Sequence, residues 1–541
     1  MTKNSVWKRL YRHGVQLMLV GILTGLCAGV VVTFYNLAAD ILSGHSKSIY
    51  LLVRENPAFV PLLFLTLIVC AFIIGVICRL VPMARGSGIP QTEGATRGLL
   101  NMKWYTALPS MAAASLLCIF SGLTAGSEGP SMFVGANCGD GVGRLLKCND
   151  MERRYQLTGG ACAGLAVAFN APLTGIVFAF EEAHRRFTPA IFICAFSSVL
   201  SGIVTRNLLY KALGMAVTTT LTNFRLVQMP LEAYGYVLLA AVISGIVGVL
   251  FYIACIQLKK LFAKVTFLHG VGKMLFPFMI AGVFGLICTS VMGGGRSFIN
   301  ALGTQGGEGS IELVRIFSTP LALTLALILI MRFVATTVNV GAGVPCGVFI
   351  PMLAIGASIG ALVSQLCGVM GMSATYADCI IMICMATFFA SIVKAPITAS
   401  IMVVELTGQF TLLIPVILGV SIGYMMSEVF GLKPFYERLL DDIMKENHVV
   451  LEKRTYNVVL EEGSIADGQS IRDILWPGNL LVRSIKRNEN KIVPNSDTVL
   501  LAGDELTIQA ECVDYQEFTK WVDEVVKKKK KKAVLLKNRR K

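Results

Sequence analysis

The sequence is short of charge. Asp, Glu, Lys and Arg make up 15% of its 541 residues, against roughly 25% in ordinary soluble domains. Long apolar runs follow one another from residue 15 to residue 430, and charge becomes dense only after residue 440. A soluble globular chain is thereby excluded. Its fifteen cysteines contain no CxxC pair, so they read as buried free thiols and not as a disulfide or zinc framework. His13, His45, His184, His269 and His448 form no HExxH or clustered pattern, which argues against a metal site. No nucleophile–base constellation points to an intramembrane enzyme. The net charge of +15 sits at membrane edges and in the lysine run Lys527 to Lys532, which fits anionic lipid or solvent better than nucleic acid.

What is present is a series of membrane-length segments. Candidate runs are Val15–Tyr35, Phe59–Val81 and the stretches 107–125, 155–180, 189–212, 230–257, 274–292, 320–338, 346–370, 377–393 and 395–430. A straight crossing needs about 20 apolar residues. Several of these runs are short or broken by Gly and Pro, which predicts half-helices and re-entrant segments. Lys3, Lys8, Arg9 and Arg12 precede the first run, placing the N-terminus in the cytoplasm by the positive-inside rule. That run is too long for a signal peptide, and no cleavage site follows it. The basic C-terminal tail belongs on the same side, so the number of crossings is even.

An internal repeat organises the membrane region. "NAPLTGIVFAFEE" (170–182) and "KAPITASIMVVE" (394–405) share a polar-Ala-Pro start and a glutamate nine residues after the proline, Glu181 and Glu405. Upstream, "SEGPSMFVGA" and "GVFIPMLAIGA" place Pro130 and Pro351 at nearly equal distances from Pro172 and Pro396. Glu128 and Phe349 each stand two residues before their proline, so they are counterparts. Two homologous halves fit a transporter-like fold with its site at the repeat interface. The repeat alone leaves the relative orientation of the halves open.

Three segments set Gly beside Pro in apolar surroundings: "RGSGIPQ" with Gly86, Ser87, Gly88 and Ile89, "GSEGP" with Gly126, Glu128 and Gly129, and "GVFIP" with Phe349 and Ile350. Each predicts a helix start with Pro at its first position, where a missing N–H is tolerated. Helix N-termini carry about half a positive charge and free N–H donors. Several converging inside a membrane bind an anion without a full positive charge that would hold it too tightly. Ser87 adds a hydroxyl. Tyr436, in "LKPFYERLL", adds a phenol, although read alone it suits an interfacial belt. Intramembrane carboxylates are functional candidates by default. Glu128 competes with the anion for the same helix ends and leaves when protonated, which links anion and proton occupancy. Glu181 and Glu182, just before "AHRRF", are candidates for an inner proton relay or for a solvated helix end. Glu405 is the weaker relay candidate.

The three corners in this order, with "FNAPLTGIVFAFEE" and "KPFYERLL", resemble the signatures of the CLC chloride channel and transporter family over residues 15 to 440. The resemblance implies an all-α polytopic membrane protein of two inverted halves with broken helices, assembled as a homodimer with one pore per subunit. It implies Ser87, Tyr436 and the backbone N–H groups of Phe349 and Ile350 as anion ligands, Glu128 as the outer gating glutamate and Glu182 as the inner proton glutamate of the exchangers. Family channels usually lack an acid at the Glu182 position, which favours chloride/proton antiport over a passive channel. Ser87, Pro130 and Tyr436 keep the chloride pattern; nitrate-preferring relatives carry proline at the Ser87 position, and the fluoride branch differs at all three.

The paired regulatory domains that end many relatives are absent. The tail instead resembles the C-terminal module of potassium-conductance regulators, of TrkA-C type. Its cues are a "GQSIRDI" helix, an "NLLVRSIKRN" strand and "IVPNSDTVLLAGDELTI". Some such modules bind cyclic di-AMP, which makes Leu480, Leu481, Val482, Arg483 and Ser484 the candidate contacts, with Arg483 for phosphate; the alternative is a dimerisation domain without a ligand. The same tail raises a cation transporter as a rival, but the anion-type helix starts oppose it. The expected layout is a basic cytoplasmic N-terminus (1–14), a transmembrane domain (15–440), a linker (441–454), a small α+β cytoplasmic regulatory domain (455–525) and a polybasic tail (526–541). The expectation is a chloride/proton antiporter in a bacterial inner membrane, without metal, cofactor or enzymatic activity.

Overall fold

A computed structural model of the chain describes residues 3–217, 220–264, 272–303, 320–446, 452–476, 479–512 and 515–528. The first half of the membrane region holds α1 (Lys3–Glu55), α2 (Val60–Leu80), α3 (Ile89–Thr96), α4 (Trp104–Phe120), α5 (Glu128–Leu145), α6 (Asp150–Phe169), α7 (Pro172–Phe178) and α8 (Pro189–Ala212). The second holds α9 (Tyr234–Lys264), α10 (Gly272–Ile287), α11 (Arg296–Leu302), α12 (Leu321–Ala342), α13 (Phe349–Val369), α14 (Ala377–Val393), α15 (Pro396–Thr407) and α16 (Leu413–Val429). Among the described residues, seven helices are long and apolar enough to cross a bilayer; α4, α10, α15 and α16 are apolar but shorter. The apolar runs therefore mark helices, and the expected short, broken pieces are present.

Four expectations about the membrane runs need correction. The first helix is continuous to Glu55 and does not stop at Tyr35; no proline lies within it. The run 155–180 is two helices, because Asn170 turns left-handed (φ 55°) and Pro172 starts α7. The run 395–430 divides at Gly408, whose φ of 70° ends α15. Helix α5 did not appear among the runs, since its five glycines, Asn137 and Asp140 dilute the hydrophobicity; those small residues are what bury it. A Cβ on Gly135 would strike the carbonyl of Gly160, and one on Gly160 would strike that of Gly135, so α5 and α6 touch backbone to backbone as small-residue stripes allow in membranes.

The halves match element by element around a local two-fold axis. Gly126 and Gly347, counterparts in the repeat, form an antiparallel bridge with N–H···O distances of 2.8 and 2.9 Å in the two directions. Glu181 caps α15, accepting from Ile397 N (2.8 Å), Thr398 N (2.6 Å) and Thr398 Oγ1 (2.7 Å). Glu405 caps α7 from the other half, accepting from Leu173 N (2.7 Å), Thr174 N (2.7 Å) and Thr174 Oγ1 (2.6 Å). Antiparallel, reciprocal pairing of counterparts is what an inverted repeat produces.

Helix α17 (Phe435–Glu446) leaves the membrane region, and a four-stranded antiparallel sheet follows. It comprises β1 (Glu452–Val459), β2 (Asn479–Arg487), β3 (Asn490–Ile492) and β4 (Glu505–Cys512) in the order β1-β4-β2-β3. The sheet starts at Glu452, three residues before the expected boundary, and α17 occupies the first part of the expected linker. "GQSIRDI" forms only a 3-10 turn at Ile471–Asp473. The helix of this domain is instead α18 (Tyr515–Val526), whose Phe518, Trp521, Val522 and Val525 are buried at helical spacing. The sequence expectation missed it because its charged face masks the apolar stripe. The lysine-rich stretch beyond Lys528 lies outside the described residues.

Candidate anion and proton site

Every helix start must satisfy four backbone N–H groups that have no intrahelical acceptor. The chain treats its buried helix starts in two ways. Helix α6 has a full capping box, with Asn149 accepting from Glu152 N (2.7 Å) and Glu152 accepting from Asn149 N (3.0 Å). Helices α7 and α15 receive the carboxylates of Glu405 and Glu181. Helices α3, α5 and α13 have no side-chain cap. Their prolines do not take the first position as expected: Pro90 is second, Pro130 and Pro351 third. Those positions still lie in the first turn, where an N–H is not needed by the helix.

The three uncapped starts meet. Gly126 and Gly347 form the bridge described above. A Cβ on Gly347 would stand 3.0 Å from Gly129 N, and one on Gly129 would collide with the Ser87 carbonyl. Gly88, with φ 84°, forms the left-handed turn that aims α3; a Cβ there would lie 3.2 Å from Gly129 O. Glycine is thus required by contact as well as by conformation. Gly86 N donates to Gly343 O (3.1 Å), tying the α3 corner to the second half. Phe349 and Ile350 open α13, and the Phe349 ring is clamped between Phe169 (4.9 Å) and Phe389 (4.4 Å).

Two hydroxyls expected at this centre are left unpartnered. Ser87 Oγ and Tyr436 OH are buried, with no protein hydrogen-bond partner among the described residues. Tyr436 is fully enclosed, so it is no interfacial belt residue. It is close enough to feel the charges of Glu128, Glu182 and Glu93. The starts lie between two cavities. One, of about 290 Å³, is lined by Gly126, Ser127, Glu128, Ile350 and Arg296. The other, of about 100 Å³, is lined by Gly86, Ser87, Val348 and Leu439.

Two carboxylates of the expected site are buried. Glu128 is 2% exposed and is the first residue of α5, as Phe349 is of α13. Its Oε1 lies 3.4 Å from Ser127 Oγ and 3.8 Å from Arg296; its Oε2 has no partner. Glu182 sits in a π-helical turn, Ala179–Ala183, and is 0% exposed, which removes the solvated-helix-end reading. Its carboxylate is close enough to Glu93 on α3 for the two charges to interact, and neither carboxylate has a hydrogen-bond partner among the described residues. Arg97 donates to the backbone carbonyls of Glu182 (3.2 Å) and Ala183 (3.1 Å) and lies 3.8 Å from Glu93. Glu181, adjacent in sequence, is spent on the α15 cap, and Glu405 on the α7 cap; neither faces this centre.

This donor set, backbone N–H groups and two hydroxyls with no cation among them, suits a monovalent anion. Residues 70–428 match the profile of the voltage gated chloride channel family. The chain belongs to that family. Residues 456–523 match the TrkA-C domain. Among curated relatives, the H(+)/Cl(-) exchange transporter ClcA of Vibrio cholerae serotype O1 is 30% identical over 438 residues, covering 79% of this chain and 90% of the relative. ClcA of Vibrio parahaemolyticus is 29% identical over 441 residues, covering 80% and 90%. Among solved structures, a slow cyanobacterial Cl⁻/H⁺ antiporter superposes with TM-score 0.71 at 24% identity, covering 80% of this chain and 99% of that one. A eukaryotic CLC transporter superposes with TM-score 0.62 at 23% identity, covering 85% and 78%. Both show the family's fold for this chain.

Sequence reasoning missed Glu93, Arg97 and Arg296. Glu93 on α3 and Arg97, the residue that ends it, stand four apart, and that spacing was the available signal. Arg296 follows "MGGG", a fourth glycine corner with no proline to mark it.

Proposed function

We propose that the chain exchanges chloride for protons across a bacterial plasma membrane, with both termini cytoplasmic. One observation carries this: two carboxylates, Glu128 and Glu182, are buried and both close enough to the unpartnered phenol of Tyr436 for their charges to reach it, which supports one centre shared by anion and proton. The exchange activity named for the Vibrio relatives supports the same reading. Ser87, Tyr436 and the N–H groups of Phe349 and Ile350 hold the anion. Glu128 takes its place when ionised and withdraws when protonated, and Glu182 passes the proton inward. We take the assembly as a homodimer.

The test is chloride-driven uphill proton uptake in proteoliposomes. Glu128→Gln is expected to keep anion flux and lose proton coupling. Glu182→Gln is expected to stop proton movement and leave anion flux. Wild-type chloride flux without proton uptake would establish a passive channel instead.

The TrkA-C module is proposed to regulate this exchange, with cyclic di-AMP as the ligand to test first. Exposure of Leu481 and Arg483 on β2 and the bulge between Val482 and Ser484 support Leu480–Ser484 as its contact strand. Calorimetry with the full chain checks it: binding lost in Arg483→Ala supports the assignment, and no heat in the wild type removes it.

A further inference from the structure

Arg296 lines the same cavity as Glu128, and the exchange reading gives it no role. It is the first residue of α11, placed there by Gly295, whose φ is 102°. Its guanidinium makes two contacts. It donates to Ala168 O, near the C-terminal end of α6, at 3.2 Å, where a cation also complements the helix dipole. It lies 3.8 Å from Glu128 Oε1, the only salt bridge to Glu128 among the described residues. The side chain is 36% exposed and the carboxylate 2%, so solvent screens the pair only from one side. The other ionisable groups around Glu128 are Asp40 on α1, which interacts with both Arg296 and Arg206 of α8, Lys47, which lines the same cavity, and the phenols of Tyr35 and Tyr436. Arg332 of α12 packs beneath Gly295.

We infer that Arg296 is the positioning residue of the outer gate: it holds the ionised Glu128 carboxylate in its seat against α5 and sets the pH at which the gate lets go. The inference rests on the proposed gating role of Glu128. An arginine anchored on a carbonyl of a different helix is a fixed point against which the carboxylate is held. Protonation of Glu128 removes the attraction, and the side chain leaves while Arg296 stays on Ala168. The freed guanidinium then faces the cavity, where it raises the local anion concentration at the moment the seat opens.

The experiment measures chloride efflux from proteoliposomes as a function of pH, with uphill proton uptake recorded on the same vesicles. Arg296→Met keeps the bulk and removes the charge. With the ionised seat weakened, the gate opens at higher pH, and the efflux profile moves up by about one pH unit, the size expected for loss of one close opposite charge. Arg296→Lys restores most of the shift. In a Glu128→Gln background, Arg296→Met moves nothing. Asp40→Asn removes the opposing negative charge and moves the profile the other way, which keeps the test alive if Arg296→Met does not fold. An unmoved profile in Arg296→Met, or an equal shift in the Glu128→Gln background, overturns the inference. Loss of proton uptake in the wild type overturns the exchange reading instead, and leaves the efflux profiles interpretable.

Discussion

Adjacent in the chain, Glu181 and Glu182 point to different elements. Within the π-helical turn at Ala179–Ala183, one carboxylate reaches the N–H groups of α15 and the other lies near Glu93. Their variants separate these roles. Glu181→Ala removes an acceptor of three donors and is expected to destabilise the protein by about 1–2 kcal/mol, as loss of a helix cap does, while proton coupling persists. Thermal unfolding in detergent and proton uptake in vesicles check the two halves of that statement. Coupling lost in Glu181→Ala while Glu182→Gln retains it would exchange their assignments. The nine-residue spacing from proline to glutamate was legible in both repeats. Its meaning was not, because a cap donated across a two-fold axis requires knowing that the halves face each other.

At the scale of elements, the proposed anion centre is a set of helix starts without side-chain caps. Helices α6, α7 and α15 receive side-chain caps at their buried starts. The ends of α3, α5 and α13 receive none and are set apart by meeting one another, with glycine contact holding them together. A Cβ at position 347 would lie 2.7 Å from Gly126 O, so Gly347→Ala must push α5 and α13 apart. Overpacking of this kind costs about 1–3 kcal/mol; chloride turnover is expected to fall about tenfold or more, measured as efflux per transporter. The corners were readable because Gly and Pro punctuate sequence strongly. Helix α5, the one that carries Glu128, was the least readable, since its small residues serve packing and lower the hydrophobicity that reveals a span.

The whole molecule joins its membrane and sheet domains at the start of α6. Arg154 is buried; its Nε donates to Thr96 O at the end of α3 (2.9 Å), and its Nη1 to Leu475 O of the sheet domain (3.4 Å). Tyr155 OH reaches Asp473 O at 3.5 Å. One side chain thus bonds the far end of the helix whose start holds Ser87. Arg154→Ala is expected to lower the melting temperature of the full chain and to change chloride turnover; unaltered turnover would show that the sheet domain does not act through α3. Within the sheet domain, Asp504 is 1% exposed and accepts two bonds of 2.7 Å from Arg487 and one of 2.8 Å from Leu501 N. Asp504→Ala removes the carboxylate partner of Arg487, which keeps only its bond to Val499 O (2.8 Å), and is expected to cost about 1–3 kcal/mol, seen as earlier unfolding of residues 452–526 by hydrogen exchange.

The sequence by itself determined that the chain is a membrane protein of two related halves with glycine–proline corners and a soluble tail. These follow from local chemistry: apolar run length, the conformational freedom of Gly and the fixed φ of Pro. The tertiary structure decided which helix starts stay uncapped, that Glu181 is a strut while Glu182 lies near Glu93, and that Arg296 stands over Glu128. Each of those depends on contacts between residues far apart in the chain, where burial and partner fix what a carboxylate does, and no local pattern carries that information.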